Sequence, residues 1–374
     1  MLQKNKYIMA AEKFKSVRFV PRNDKDFGIT VKKRVHEYFK EKNISRTGDY
    51  RIWTKAIVMP ILYLAPFVLI LSNSFGQNLL AFYGLWLLMG LGLAGCGFSV
   101  MHDACHGAFS KNQKVNDIIG KAVLNLAGGY ALNWKIQHNV LHHSYTNIDG
   151  YDEDIAPGGV MRFSPHQPAK PIFKYQAYYA WFLYGLMTFS WCTFKDFLQL
   201  KRYNEKGLLK TQGASYKKEF LKMVALKIGY YALFMALPIL LVDVAWWHVV
   251  LGWFSMHFLA GVTLGCVFQP AHVVPSSEFP LPDKDNNVGG DRVKHQLLTT
   301  SNFAPTNKLL SWYVGGLNYQ IEHHLFPNMS HVHHRHIAHI VKETATEFGL
   351  PYYSQPSFRA ALVGHAKMLH KLRK

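Results

Sequence analysis

LLAFYGLWLLMGLGLAGCGFSVMHDACH, residues 79–106, joins a long apolar run to a pair of histidines. The run from Leu79 to Met101 carries no charge and is long enough to cross about 30 Å of hydrocarbon as a helix. His102 and His106 follow it four residues apart, so they share one face of a helix. This stretch predicts a membrane-spanning helix with two histidines at one end.

Three other stretches, residues 56–73, 228–246 and 249–267, are also long and almost free of charge. They complete two pairs, and the turn within each pair is uncharged. In contrast, residues 1–55 hold 15 Lys+Arg against six Asp+Glu, and residues 195–222 hold eight against three. Because basic flanks stay on the cytoplasmic side, this asymmetry predicts two transmembrane hairpins with both termini in the cytosol.

Composition narrows the class of protein. The chain has 374 residues, 49% apolar and 14% aromatic, which excludes a disordered chain and a collagenous repeat. Its four cysteines include no CxxC pair, so a disulfide scaffold or a thiolate metal site is not expected. A net charge of +19 would suit a nucleic-acid binder. The basic residues lie beside the ends of the membrane segments, however, where they orient the chain in the membrane and bind anionic lipid headgroups. No nucleic-acid partner is therefore expected. Buried helices of a soluble all-α core are the alternative interpretation.

Three further segments flank or interrupt the apolar stretches. Residues 1–55 are interpreted as a basic cytosolic segment, and residues 351–374 as a basic, amphipathic C-terminal tail. Residues 172–194 are rich in aromatic side chains, but a crossing there would put the histidine clusters on opposite faces of the membrane. We therefore interpret them as an interfacial helix. Residues 56–350 are taken as one domain.

Histidines form two more clusters further along the chain. His138, His142 and His143 lie in HNVLHH, and His323 and His324 lie in QIEHH. Each cluster follows a predicted hairpin, so all three emerge on one face and can converge into one site. Imidazole suits iron, copper and zinc. Seven histidines exceed the four ligands of a tetrahedral zinc, which favours two metal ions.

HDACH, HNVLHH and GGLNYQIEHHLFP resemble the three histidine boxes of the membrane-bound fatty acid desaturase superfamily. The longer strings HNVLHHSYTNIDGYDEDI and LFPNMSHVHH resemble bacterial acyl-CoA desaturases. The resemblance covers roughly residues 50 to 350. A glutamine, Gln320, opens the third box, as in front-end desaturases such as the Δ5 and Δ6 enzymes.

The resemblance implies an all-α integral membrane protein with four transmembrane helices in two hairpins and a cytosolic helical cap that holds a dinuclear iron site. Carried over residue by residue, the metal ligands are His102, His106, His138, His142, His143, His272, His323 and His324. Gln320 stands where many relatives have a ligating histidine and is interpreted as a ligand, either directly or through a water. Carboxylates that accept the second N–H of a ligating histidine fix its tautomer. The candidates are Asp103, Asp149, Asp152, Asp154 and Glu322.

The implied reaction is the O2-dependent insertion of a cis double bond into an acyl chain carried by CoA or by a lipid. Removing hydrogen from an unactivated methylene needs a strong oxidant, which reduced iron and O2 supply. A hydroxylase of the same superfamily is one alternative. A membrane metal transporter or sensor is the alternative of another class, but transporters hold ligands at mid-bilayer, whereas these histidines lie at helix ends.

The electron supply is expected to be external. The chain has no GxGxxG fingerprint after a strand, no cysteine cluster and no HPGG haem motif, so no further cofactor site is expected. A ferredoxin, cytochrome b5 or flavin reductase would dock on the cytosolic face. A bacterial inner membrane is favoured over the endoplasmic reticulum, because no haem domain is fused, and no cleavable signal peptide is expected.

Other histidines have competing interpretations. His257 lies inside the fourth apolar stretch, where a polar residue is a functional candidate, but a hydrogen bond to a neighbouring helix is favoured. The dense histidine tract that follows the third box is interpreted as part of the cap. Its members are His331, His333, His334, His336 and His339.

Overall fold

The computed structural model describes residues 14–20 and 25–374, so part of the basic N-terminal segment lies outside the described residues. The described chain is mostly helical. Its first helices are α1 (Lys25–Glu41), α2 (Tyr50–Leu71), α3 (Leu79–Cys96), α4 (His102–Cys105), α5 (Gln113–Leu126), α6 (Ala131–Lys135), α7 (His143–Tyr145), α8 (Gln176–Ser190) and α9 (Asp196–Glu205). The later ones are α10 (Leu208–Thr211), α11 (Tyr216–Tyr231), α12 (Leu237–Leu241), α13 (Trp246–His272), α14 (Arg292–Thr299), α15 (Lys308–Tyr313), α16 (Gln320–Leu325), α17 (His334–Glu347) and α18 (Phe358–Lys371).

Two small parallel ribbons modify the predicted all-α fold. Strand β1 (Arg18–Val20) pairs with β2 (Asn287–Gly289), and β3 (Asn302–Phe303) pairs with β4 (Ser354–Gln355). The strands join segments far apart in the chain, and three-residue or two-residue strands are too short to leave an alternating pattern in the sequence.

Four helices in the described residues are long and apolar enough to cross a membrane, as the sequence predicted: Tyr50–Leu71, Leu79–Cys105, Tyr216–Leu241 and Trp246–His272. The second joins α3 to α4 through the π-helical turn Gly97–Met101, and the third joins α11 to α12 through Ala232–Ala236. The first and third helices begin well before their apolar stretches, because backbone hydrogen bonding continues past the point where side chains become polar.

The predicted turn between the third and fourth apolar stretches was misplaced. The third apolar stretch of the sequence runs to residue 246, but the helix ends at Leu241 and α13 begins at Trp246. The intervening turn is held to the turn between α2 and α3: the Asp243 amide donates to Asn73 Oδ1 at 2.8 Å, and Asn73 Nδ2 donates to the Leu241 carbonyl at 3.0 Å. Apolarity alone could not reveal these two cross-turn bonds.

Close helix contacts bring the long helices together. α13 lies against α3 and α8, and α2 lies along α3. A Cβ atom on Gly92 would be only 2.5 Å from the backbone nitrogen of Tyr63, and one on Gly261 would be 2.5 Å from the carbonyl oxygen of Tyr184. Glycine is therefore needed where α3 meets α2 and where α13 meets α8.

The segment assigned to an interfacial helix contains the 3-10 turn Pro171–Tyr175, then α8, then the π-helical turn Trp191–Lys195. The C-terminal tail contains α18, which packs on α8 and α13 through its buried face. His365 on that face contacts Tyr184 and the Val273 carbonyl.

A separate group of helices positions the third histidine cluster. α1 packs on α17, and α16 contacts both α14 and α17. Their shared apolar core includes Phe27, Val31, Leu297, Ile321 and Val341. Ile321 and Leu325 anchor α16 in this core, and His323 and His324 of the same short helix lie beside the other histidines.

Candidate metal centre

The first histidine pair is positioned at the end of a membrane-length helix. The π-helical turn after α3 admits an extra residue and so changes which face of the helix the following side chains occupy. His102 begins α4 and His106 follows it directly. The two rings are buried, with centres 4.7 Å apart.

The second cluster lies in another π-helical stretch, Ile136–His142, which leads into α7 at His143. Nε2 of His138 is 3.1 Å from Nε2 of His102 and 3.2 Å from Nε2 of His143. Nitrogens from two separate segments therefore point into one small volume.

The third cluster reaches that volume from α16. The ring centre of His323 lies 4.5 Å from that of His102, and the ring centre of His324 lies 4.4 Å from that of His143. Adjacent residues of one short helix thus contact the first and the second cluster at the same time.

His272, the last residue of α13, joins the site from a fourth direction. Its ring centre is 4.7 Å from those of His142 and His324. Its Nδ1 lies 3.3 Å from the Thr299 carbonyl oxygen, which leaves Nε2 facing the cluster. All eight histidines named from the sequence are therefore buried together.

Their nitrogens form overlapping groups within 4.8 Å. One group is His102, His106, His138 and His323, a second is His142, His272 and His324, and a third is His143, His323 and His324. The first two groups share no member, whereas the third overlaps both. This arrangement has room for more than one cation.

Several nitrogens of the cluster have no hydrogen-bond partner in the described part of the chain. They are Nε2 of His106, His272, His323 and His324, Nδ1 of His143, and Nε2 of Gln320. An unsatisfied buried polar atom costs roughly 1–3 kcal/mol, so a concentration of such atoms is typical of a site that binds a ligand. Neutral imidazole nitrogens suit a transition-metal cation such as iron, copper or zinc, and Gln320 could bind it through its carbonyl oxygen.

Carboxylates hold the outer ring nitrogens of two histidines. Nδ1 of His142 is 3.1 Å from both carboxylate oxygens of Asp152, and Nδ1 of His138 is 3.4 Å from Oδ2 of Asp154. Asp152 is itself buried and accepts the Asn147 amide at 2.8 Å. An N–H held outward leaves the other ring nitrogen as a lone-pair donor to the site.

Electrostatics keeps most of these rings neutral. Burial and the neighbouring imidazoles lower the pKa of His143, His323 and His324 well below the ordinary value. Burial also acts on His142, but the carboxylates of Asp152 and Asp154 outweigh it and raise its pKa to about 9. Neutral rings can donate lone pairs to a cation, and the two carboxylates add negative charge that favours it.

The family model described as fatty acid desaturase matches residues 78–356, a range that contains all three histidine clusters. This chain belongs to the fatty acid desaturase family. The family and reaction class predicted from the histidine boxes are thereby confirmed: the chain is an oxidoreductase of the desaturase type.

Curated relatives of this desaturase carry names of the same kind. The chain is 31% identical to an sn-1 linoleoyl-lipid 6-desaturase of Synechocystis sp., over 93% of this chain and 96% of that protein. It is 32% identical to an acyl-lipid (8-3)-desaturase of Physcomitrium patens, over 96% of this chain and 75% of that protein. A probable Delta(5) fatty acid desaturase C of Dictyostelium discoideum is 28% identical, over 92% of this chain and 76% of that protein.

Three of the predicted carboxylates of the desaturase bond to residues other than the eight histidines. Oδ2 of Asp103 accepts from Ser330 Oγ at 2.7 Å, and Oδ1 of Asp149 accepts from Gln167 at 3.0 Å. Glu322 accepts from Asn302 and Tyr352, each at 2.8 Å. Of the five candidates, only Asp152 and Asp154 hold ring nitrogens of the cluster in the described residues.

Gln296 is a site residue that the sequence did not reveal. Its Oε1 lies 2.7 Å from Nδ1 of His324 and accepts from Thr146 Oγ1 at 3.0 Å. Its Nε2 donates to the His143 carbonyl at 3.0 Å. Gln296 lies in α14 with no motif around it, so only the packing of α14 on α16 makes it a partner of His324.

The histidine tract after the third box borders the cluster. His331 lies between Lys55, whose Nζ is 2.7 Å from Nε2, and Asp103, whose Oδ2 is 3.0 Å from Nδ1. The ring centre of His334 is 5.8 Å from that of His323. His257 is remote from this region, and its Nε2 bonds to the Tyr230 hydroxyl on the neighbouring helix α11.

A cavity of about 120 Å³ adjoins the histidines of the desaturase. His138, His142 and His272 form part of its wall. Most of the remaining wall is apolar and comes from α3, α5, α8 and α13, including Leu93, Val123, Leu124, Met187, Leu264 and Phe268. The cavity therefore connects the imidazole cluster to an environment that suits a hydrocarbon chain.

Proposed function

We propose that this desaturase inserts a cis double bond between the carboxyl end and an existing double bond of an acyl chain carried by a membrane lipid, at a centre of two iron ions. The observation that carries the proposal is the convergence of eight buried histidines, several with unpartnered nitrogens, beside an apolar cavity. The names of the relatives, linoleoyl-lipid 6-desaturase and acyl-lipid (8-3)-desaturase, support a front-end position and a lipid carrier.

The two disjoint groups of histidines would hold one iron each. His102, His106, His138 and His323 would bind the first, and His142, His272 and His324 the second. His143 and Gln320 would complete the shell, because His143 groups with histidines of both sets. When bound, reduced iron supplies the activation of O2 that hydrogen removal from a methylene requires.

The protein's own residues prepare the ligands. Asp152 holds the Nδ1 proton of His142, Gln296 that of His324, and the Thr299 carbonyl that of His272. These contacts turn Nε2 of each ring inward and fix its tautomer. Burial of all eight rings keeps bulk water away from the centre.

The apolar cavity would bind the acyl chain. Its wall brings Leu93 and Leu264 from two membrane-length helices next to His138 and His142, so a chain lying there presents its methylenes to the metal side. The acyl chain of a membrane lipid comes from the bilayer interior, and the apolar wall gives it surroundings of similar polarity.

The membrane arrangement and the partners belong to the same proposal. Two transmembrane hairpins would place both termini and a helical cap in the cytosol of a bacterium, with the chain in the inner membrane. Two electrons would come from a ferredoxin, cytochrome b5 or flavin reductase. Together with two protons and the two hydrogens removed from the acyl chain, they would reduce O2 to two molecules of water.

The test is the fatty-acid profile of cells that express the desaturase and are fed linoleate. The wild type should yield a new triunsaturated acid, whose double bonds are located by derivatisation and mass spectrometry. His143→Ala should yield none and should bind less iron, whereas His166→Ala, which alters an exposed histidine bonded to the Phe279 carbonyl, should match the wild type.

Two outcomes would contradict the proposal. One is a wild type that makes no new acid although iron, O2 and a donor system are supplied. The other is a His143→Ala variant that keeps both product and iron.

A further inference from the structure

Lys195 brings a cation to the wall of the acyl cavity. It ends the π-helical turn after α8 and lines the same cavity as His138 and His142. Among the described residues of this wall, it is the one lysine or arginine. Its side chain is partly exposed overall, but its ammonium is buried deeply enough that desolvation lowers its pKa.

The ammonium of Lys195 has no hydrogen bond or ion pair within residues 14–20 and 25–374. Its Nζ lies 5.7 Å from the centre of the Trp191 ring, which also lines the cavity. The nearby carboxylates are engaged elsewhere: Asp196 with Lys227 at 2.7 Å, Glu153 with Arg202 at 2.8 Å, and Asp154 with Gln137. A cation that its surroundings leave unpaired is available to an oxygen of a ligand.

Lys195 also lies close to the imidazoles. Asp154, one of the charges that act on Lys195, is 3.4 Å from Nδ1 of His138. The position of a front-end double bond is counted from the carboxyl end of the acyl chain. The group that binds that end must therefore lie a short, fixed distance from the metal. Lys195 is in that place, and most of the wall beyond it offers only apolar side chains.

We propose that Lys195 donates a hydrogen bond to the carbonyl oxygen at the carboxyl end of the acyl chain and thereby sets the position of the new double bond. This inference rests on the proposed function. The carbonyl oxygen is common to a lipid ester and a CoA thioester, so the same contact would serve either carrier.

The first test compares product positions in cells fed linoleate. Lys195→Met keeps the aliphatic stem and removes the cation; it should lower the yield by roughly tenfold or more and spread the new double bond over neighbouring positions. Lys195→Arg should keep one position. Lys201→Met, an equal loss of charge at an exposed residue of α9 that pairs with Glu205, is the matched control and should equal the wild type.

Iron content separates a binding role from a merely structural one. If Lys195→Met keeps the iron content of the wild type while its product position changes, Lys195 acts on the substrate. If Lys195→Met gives one position and a yield within about twofold of the wild type, or if its yield falls only in proportion to its iron, the inference is wrong.

The second test does not depend on turnover. The probes are 1-linoleoyl-lysophosphatidylcholine and its ether analogue, in which a methylene replaces the carbonyl. The iron-loaded wild type should bind the ester roughly tenfold tighter than the ether, and Lys195→Met should bind the two equally. A preference that survives in Lys195→Met overturns the inference. A wild type that makes no product but shows the preference would overturn the proposed function and leave the assignment of Lys195 supported.

Discussion

Two polar clusters of the molecule differ in how completely their atoms are bonded. In the first, the histidine cluster, nitrogens of five imidazoles have no partner in the described residues. In the second, which we call the lysine cluster (Lys227, Asp196, Asn133 and Trp191), Lys227 donates to Asp196, to the Trp191 carbonyl and to the Gly128 carbonyl. Asp196 also accepts from Asn133 and from Trp191.

The difference separates a structural network from a binding site. Both charges of the lysine cluster are satisfied by the protein, so it stabilises the junction of α11 with the turn after α8 by itself. The histidine cluster is costly until a ligand binds. Replacing residues in the two clusters should therefore affect different quantities.

The largest effect is expected in the histidine cluster. His106→Ala should reduce desaturation by about a thousandfold or more, because it removes a ligand from a set that acts as a unit. Iron per protein should fall in parallel. The iron-free variant should lose only the packing of the His106 ring relative to the iron-free wild type, since Nε2 of His106 has no hydrogen-bond partner in the described residues.

The iron-loaded proteins give the contrast. Iron should stabilise the wild type against unfolding and stabilise His106→Ala much less, because only binding to the folded state shifts the equilibrium. Equal stabilisation of both proteins would mean that the cluster is not the metal site.

The next effect is expected in the lysine cluster. Lys227→Met should lower the free energy of unfolding by about 3–5 kcal/mol, because it leaves the carboxylate of Asp196 buried and uncompensated. The double variant Lys227→Met/Asp196→Asn should recover part of the loss. Chemical denaturation in detergent measures both values.

Lys222→Met on the same helix is the matched control. Lys222 is exposed and pairs with Glu219, so its replacement should cost about 0–1 kcal/mol. A loss for Lys227→Met no larger than that would remove the distinction between the two clusters.

A smaller effect is expected where the protein orients the ligands. Asp152→Asn should lower iron affinity or activity by about 10–100-fold, because it weakens the contact that fixes the tautomer of His142. Asp149→Asn alters a neighbouring carboxylate that bonds to Gln167 instead, and it should change neither quantity. Iron titration of Asp152→Asn and Asp149→Asn measures the iron affinity of each variant. Similar losses of affinity in both would show that proximity to the site, and not the contact with His142, is responsible.

The smallest effect is expected at a bonded histidine outside both clusters. Tyr230→Phe removes the hydroxyl that contacts His257 and accepts from Trp253 Nε1 at 2.8 Å. The free energy of unfolding should fall by about 1 kcal/mol with unchanged activity. Tyr178→Phe, at an exposed position, is the control and should change the free energy of unfolding by less than about 0.5 kcal/mol. A loss of activity in Tyr230→Phe would assign a functional role to His257.

Much of the fold and the site could be predicted from local patterns. Four membrane-length helices follow from runs of apolar residues, because the cost of placing charges in hydrocarbon acts on each segment separately. Two of the histidine clusters contain a pair four residues apart, which shares a helix face, and the third contains two adjacent histidines. The turn before α13 was misplaced, since the bonds of Asn73 to Asp243 and Leu241 join turns far apart in the chain.

By itself, the sequence determined the number of apolar helices, the family and the eight histidines that meet. Only the tertiary structure decided which groups contact them: Asp152 and Asp154 hold ring nitrogens, whereas Asp103, Asp149 and Glu322 bond elsewhere. Gln296 and Lys195 also became visible only there. The reason is that a helix pattern depends on neighbours a few residues away, but a contact such as that of Gln296 with His324 depends on how two helices pack.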